Sequence, residues 1–375
     1  MVNIFYATVL AAAVMVGARA GINGTTSNPT LYIFGDSLSD IGGMKNKTFG
    51  IIPPWPFWQG RFSSGPLWNE YLAKLLGYNL INKAVGGSTS DVSSSSLTVY
   101  SIINLPIYVP STMDQINEFK SSSPMYKASC VTDDDIVILA VGADDFLAEM
   151  VNLSTNKLTV ENFSETLSNN IVYQLEQLRS IGFKRIVVAN MAAIHYTPYA
   201  DILGMKDVAN VTINYYNKQL AIKANSWASS APGLSLFAIA DIAGFIETTL
   251  NSSDIINSLG ITNADSACLG GNTLKLVNSK NRMWMFISML FNVSETLMCS
   301  SPENSYFFDV LHPGEKITRL FGYYSNALIK FANIGKQLPP TKANLLAIIN
   351  KYNLGSTVVK PVQIMRYDPL ALNLE

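Results

Sequence analysis

The chain is poor in the residues from which most metal and redox sites are built. Only two histidines, His195 and His312, occur in 375 residues. With three cysteines far apart in sequence (Cys130, Cys268 and Cys299), they make no ligand cluster, so no metal site is expected and no cofactor is required. Charge is scarce as well. Asp, Glu, Lys and Arg make up 14% of the chain, and 26 basic against 27 acidic side chains leave a net charge of −1. Without a basic tract or stripe, nucleic acid is excluded as a partner and no electrostatic membrane footprint is present. Beyond the first twenty residues no uninterrupted apolar run is long enough to span a bilayer, so no stable membrane insertion is expected. There is no internal repeat, no low-complexity tract and no Pro/Gly-rich linker dividing the chain.

What is present is apolar mass. Hydrophobic residues make up 48% of the sequence, ample for a large core. Residues 1–20 form an apolar run ending Ala18-Arg19-Ala20 and read as a secretory signal cleaved after Ala20, although its early part carries no lysine or arginine. Asn-x-Ser/Thr triplets at Asn23, Asn46, Asn152, Asn162, Asn210, Asn251 and Asn292 suit a secreted, extracellular glycoprotein. The rest is expected to form one domain over 21–335, followed by an extension, 336–375, with no assigned role; oligomeric state is open.

Chemistry gathers at two distant places. Leu31 to Phe34 have the length and composition of a buried parallel strand, which Gly35 ends, so Ser37 lies where a sheet hands over to a helix. A serine there is either a helix cap or a nucleophile at the carboxyl edge of an open sheet. A nucleophilic serine needs a base. His312 lies in Phe-Phe-Asp-Val-Leu-His-Pro, three residues after Asp309, and a carboxylate so close can hold the imidazole in one tautomer. His195 has no flanking carboxylate and reads as structural or substrate-facing.

These blocks resemble the GDSL, or SGNH, family of esterases and lipases. Gly35-Asp36-Ser37-Leu38 and Asp309-x-x-His312-Pro313 are similar to its first and last blocks, and the Gly-x-Ser-x-Gly elbow of other hydrolases is not found around Ser37. Gly60 to Trp68 resembles the Gly-Arg-Phe-Ser-Asn-Gly stretch of many relatives. Asn82 to Ser88 is similar to the second block, and Val141-Gly142-Ala143-Asp144-Asp145 sits where Gly-x-Asn-Asp is expected. The likeness runs from about residue 30 to about residue 332. It implies a Ser37-His312-Asp309 triad and an oxyanion site made by the N–H groups of Ser37 and Gly87, with a third donor at position 144. It also implies a small-molecule ester substrate, whether lipid or acylated carbohydrate. A Trp/Phe-rich loop (Trp55, Phe57, Trp58) suits sugar faces and acyl chains alike, and acetyl esters are slightly favoured.

Position 144 departs from the family. An ionised carboxylate accepts hydrogen bonds only and repels a forming oxyanion. Three outcomes stay open: a protonated Asp144 donates, activity persists on two backbone donors, or the protein is a catalytically weak or inactive relative that binds glycans or lipids. Strands joined by helices imply an α/β fold, a sandwich of three α/β/α layers around a mostly parallel sheet of about five strands, and the family resemblance makes it a flavodoxin-like SGNH fold. Strands are expected at 31–34, 79–81, 136–141, 185–190 and 234–239. Helices are expected from Trp68 to Gly77, within 109–119 with Ser111 as cap, from Val160 to Gly182, and over 209–228, 313–332 and 342–352. Residues 88–101 read as loop. An insertion before Asp309 holds the all-round apolar segment 283–291, either an acyl lid or a helix buried on the sheet. It also holds Cys268 and Cys299, which are paired with each other, leaving Cys130 as a buried thiol.

Overall fold

Alternation along the central strands divides the molecule into two cores. In this computed structural model, which describes residues 28–91, 108–122, 131–269 and 298–356, five parallel strands form one sheet. They are β1 (Thr30–Gly35), β2 (Asn79–Asn82), β3 (Ile136–Ala140), β4 (Arg185–Ala189) and β5 (Leu236–Ala240), in the order β2-β1-β3-β4-β5. Leu31, Ile33, Ile136, Ile138, Val187 and Leu236 face one side; Tyr32, Phe34, Val137, Leu139, Ile186 and Val188 face the other. A strand buried on both faces must be apolar at every position, which is why β1 and β3 show as continuous runs in the sequence.

The odd-numbered face of β1 packs against α2 (Trp68–Leu76), α8 (Ile242–Leu250), α9 (Ser253–Ser258), α10 (Glu315–Ala332) and α11 (Lys342–Tyr352). The opposite face is covered by α3 (Thr112–Ser121), α4 (Ala143–Ser154), α5 (Val160–Ile181) and α7 (Lys206–Ser230). Two one-turn helices, α1 (Gly43–Lys47) and α6 (Pro198–Ile202), lie in connections. The three-layer α/β/α sandwich is the fold class that the alternation of strands and helices implied. Local signals explain the boundaries: Gly77, at φ +69°, closes α2, and Ser111 caps α3 by accepting from Asp114 N–H while the Asp114 carboxylate accepts from Ser111 N–H.

Two features differ from the sequence reading. The chain after Gly35 does not pass directly into a helix; residues 37–39 form a hydrogen-bonded turn, and the first helix begins only at Gly43. Phe57, read as part of a Trp/Phe-rich loop suited to sugar faces or acyl chains, is buried against Phe62 and Phe308, because this loop has a small core of its own with Met44, Ile52 and Val85. Trp58 stacks under the Arg61 guanidinium, and Trp55 alone of the three stays exposed.

The stretch before Asp309 builds a second sheet of two parallel strands, β6 (Asn263–Ala267) and β7 (Ser305–Phe307). Cys268 and Cys299 are joined by a disulfide beside it. The extension folds back: Leu345, Ile348 and Ile349 of α11 are buried in the α10 core. The signal segment, Asn23, Cys130, most of the 88–101 loop, the 283–291 segment and Asn292 lie outside the described residues. Of the remaining triplet asparagines, Asn46, Asn162, Asn210 and Asn251 are exposed and Asn152 is half-buried.

Candidate active site

The strand order reverses direction between β1 and β3, and ligands of such sheets bind beyond the strand ends at that point. Gly35 at the end of β1 lies opposite Ala140 at the end of β3. Ser37 therefore emerges next to the first turn of α4, which carries Asp144. The turn bearing Ser37 is held through the backbone of Leu38 and Ser39. Leu38 O accepts from Trp68 Nε1 (3.1 Å), and Ser39 O accepts from the side-chain amides of Asn69 and Asn82, each at 2.7 Å. Asp36 accepts from Leu38 N–H at 3.0 Å. Ser37 itself is half-buried and caps nothing; its hydroxyl is turned to a histidine.

That histidine is His312. Its Nε2 is 2.7 Å from Ser37 Oγ, and its Nδ1 is 2.7 Å from Asp309 Oδ2. The second Asp309 oxygen accepts the N–H groups of Leu311 (2.7 Å) and His312 (2.6 Å), so the carboxylate is fixed by the loop it orients. With Nδ1–H donated to Asp309, Nε2 is the lone-pair side facing the Ser37 hydroxyl proton. The ring has no exposed surface, and Phe62 lies against it at 5.2 Å between centroids. Ser63 Oγ donates to Pro313 O and Ser64 Oγ accepts from Glu315 N–H, so the 60–68 stretch braces the histidine loop from below.

Gly86 and Gly87 are separated by their bonding. Gly86 N–H donates to Asp40 Oδ2 at 2.8 Å and is committed to structure, whereas Gly87, at φ +84°, turns the chain next to it. Asp40 also accepts the N–H groups of Gly42, Gly43 and Met44, so one buried carboxylate joins the serine segment to the glycine segment. Gln115 makes a parallel clamp, accepting from Gly35 N–H and donating to Gly35 O and Ser88 Oγ. Asp40, Asn69, Asn82 and Gln115 were not singled out from the sequence. Each is a lone polar residue with at least one partner far along the chain, so no periodicity or spacing marks it.

Asp144 is the second residue of α4 and lines the same cavity as Ser37 and His312. Burial, then the neighbouring Asp36 and Asp145 charges, hold its carboxyl well above the usual carboxylate range. Asp36 is pushed up to about 7, chiefly by burial, and Asp145 to about 6 for the same reason, opposed by hydrogen bonds from Ser90. His195 takes no part. It stands outside the cavity lining, half-buried on a short turn over Tyr196, with its pKa depressed by burial. The cavity opens to solvent and is walled chiefly by Leu147, Ile242, Phe245, Ile246, Ile317 and Phe321. Among the described residues no group of three His, Cys, Asp or Glu is placed to hold a metal ion, and no helix is long and apolar enough to cross a membrane.

Fold and site together define an α/β/α hydrolase with a serine at its sheet edge. A family model for GDSL-like lipase/acylhydrolase matches residues 31–324, and the chain belongs to that family, which places it among the ester-bond hydrolases. A phosphatidylcholine-sterol acyltransferase of Aeromonas hydrophila is 30% identical over 247 residues, 64% of this chain and 65% of that protein, so the chain spans just under two thirds of that relative's length. A GDSL esterase/lipase of Arabidopsis thaliana is 24% identical over 334 residues, 78% of this chain and 86% of its own. Among solved structures, a putative lipolytic protein of G-D-S-L family from Desulfitobacterium hafniense DCB-2 matches 70% of this chain and 97% of its own at 13% identity, with a TM-score of 0.33.

Proposed function

We propose that the chain hydrolyses carboxylic esters of medium- and long-chain fatty acids, with Ser37, His312 and Asp309 as its catalytic triad. The observation that carries this reading is the pair of 2.7 Å contacts linking Ser37 Oγ, the His312 ring and Asp309 at the mouth of an apolar cavity. Ser37 Oγ attacks the ester carbonyl carbon while Nε2 takes its proton; the carbon–oxygen bond to the alcohol then breaks, and the proton passes to the departing oxygen. Water repeats the sequence on the acyl-enzyme and frees Ser37. The N–H groups of Ser37 and Gly87 bind the oxyanion, since Gly86 N–H is already engaged with Asp40.

The cavity turns the substrate away from acetyl esters. A wall mostly of leucine, isoleucine and phenylalanine offers few partners to a sugar's hydroxyls, whereas each methylene buried there contributes about 0.8 kcal/mol. A fluorophosphonate probe should label Ser37 and not the Ser37→Ala protein, and p-nitrophenyl esters should be cleaved faster as the acyl chain lengthens from acetate to octanoate. Preference for acetate would remove the lipid assignment, and failure to label would remove the triad. A second reading, a relative that binds such lipids without cleaving them, is favoured by the carboxyl group at position 144, and the same probe decides against it. Residues 1–20, the Asn-x-Ser/Thr triplets and the Cys268–Cys299 disulfide support a secreted protein. Recovery from culture medium as a form whose gel mobility shifts on deglycosylation tests this.

A further inference from the structure

We propose that Asp144 is a catalytic residue in its own right, a carboxylic acid that donates its O–H to the oxyanion and so confines turnover to acid and near-neutral pH; this rests on the reading of Ser37 as the nucleophile. The placement comes first. Asp144 stands in the first turn of α4, beyond the end of the strand paired with β1, and shares one cavity wall with Ser37 and His312. Its neighbours are occupied elsewhere. Asp145 is bound by Ser90 N–H and Ser90 Oγ, and Asp36 by Leu38 N–H, whereas the Asp144 carboxyl has no hydrogen-bond partner among the described residues.

The surroundings decide its charge. From the β1 turn it faces Asp36, and from its own helix Asp145, which Asp91 of the 88–91 loop further repels. From α7 the phenol of Tyr216 lies near Asp145, and across the cavity stand His312 and Tyr306. Among the described residues no lysine or arginine lines the cavity. Burial and two acidic neighbours therefore act in one direction, raising the carboxyl, against the α4 amino terminus, which favours an anion. The imidazolium that forms on His312 during attack is already paired with Asp309.

A protonated carboxyl is the one acidic side chain that can stand where a carboxamide donor would. Its O–H···O⁻ bond is short and charge-assisted, so it stabilises the tetrahedral intermediate without giving up its proton; the proton stays on Asp144 through both halves of the cycle. Once ionised, the group has no proton to donate and repels the oxyanion. The loss on ionisation should match or exceed removal of one oxyanion donor.

The test is a pH–rate profile of the whole protein on a p-nitrophenyl ester, with fluorophosphonate labelling of Ser37 at each pH. Wild type should lose at least about 100-fold in kcat on the alkaline side of its optimum. Asp144→Asn, which keeps shape and a donor, should match wild type in acid and hold its rate into alkali. Asp144→Ala should be slow throughout, with no alkaline fall. A wild-type rate that is level or rising through alkaline pH overturns the proposal even if neither variant folds, as does an Asp144→Asn profile that overlays wild type while Ser37 still labels. If Ser37 labels at no pH, the nucleophile assignment itself is lost, which is a distinguishable result.

Discussion

Gly86 shows how little room the site has. A Cβ built on it would lie 2.4 Å from a ring carbon of Phe62, and Phe62 is the face against which His312 rests. A methyl group there cannot be absorbed locally. It displaces the phenyl ring, and the phenyl ring displaces the base. Gly86→Ala should therefore cost about 10- to 100-fold in kcat, as a sub-ångström misplacement of a catalytic group does, with little change in KM. Steady-state kinetics on a p-nitrophenyl ester checks this. Unchanged kcat would mean that the phenyl ring moves without carrying the imidazole with it.

Asp40 acts one scale up, between elements. Four N–H groups, from Gly42, Gly43, Met44 and Gly86, converge on its carboxylate, so the turn that presents Ser37 and the loop that carries Gly87 are tied through one buried side chain. Asp40→Ala leaves those donors without a partner and should lower unfolding free energy by about 3–5 kcal/mol, measured by urea denaturation. A loss within about 0.5 kcal/mol, the range of surface substitutions, would show that water replaces the carboxylate. At this scale the strands and long helices were legible in the sequence. Ile136–Ala140 is apolar at every step, and α5 repeats Phe163, Leu167, Ile171, Leu175 and Leu178 every three or four residues. Helix α4 was missed although Phe146, Met150 and Leu153 give it a buried stripe, because Ala-Asp-Asp after a strand reads as an acidic loop. Strand β6, Asn-Ala-Asp-Ser-Ala, carries no pattern at all, and its pairing with β7 is set by tertiary contacts. Ser37, Asp309 and His312 stood out because their chemistry is confined to short blocks. The clamps around them did not, since a hydrogen bond to a distant backbone carbonyl leaves no mark on local sequence.

For the molecule as a whole, the carboxyls clustered at the sheet edge couple folding to pH. Asp36 rises from 3.8 to about 7 and Asp145 from 3.8 to about 6 on folding, mainly through burial, and Asp144 moves the same way. A carboxyl with a raised pKa holds its proton more tightly in the folded chain than in the unfolded one. Its stabilising contribution is complete below the unfolded value and is lost as pH rises through 6 to 7. The urea midpoint should accordingly be higher near pH 5 than near pH 8, and Asp144→Asn should narrow the gap. A midpoint that climbs with pH over this range would place the ionised carboxylates in a better solvated setting than their burial implies.

The proposed nucleophile, Ser37, and its proposed base, His312, are 275 residues apart in sequence. A ribosome adding 5–20 residues per second needs on the order of tens of seconds to pass from one to the other. Throughout that interval the nascent protein carries Ser37 with no His312 to take its proton. The proposed nucleophile gains its base only once His312 has been made and brought to the sheet edge, so the order of synthesis is itself a safeguard.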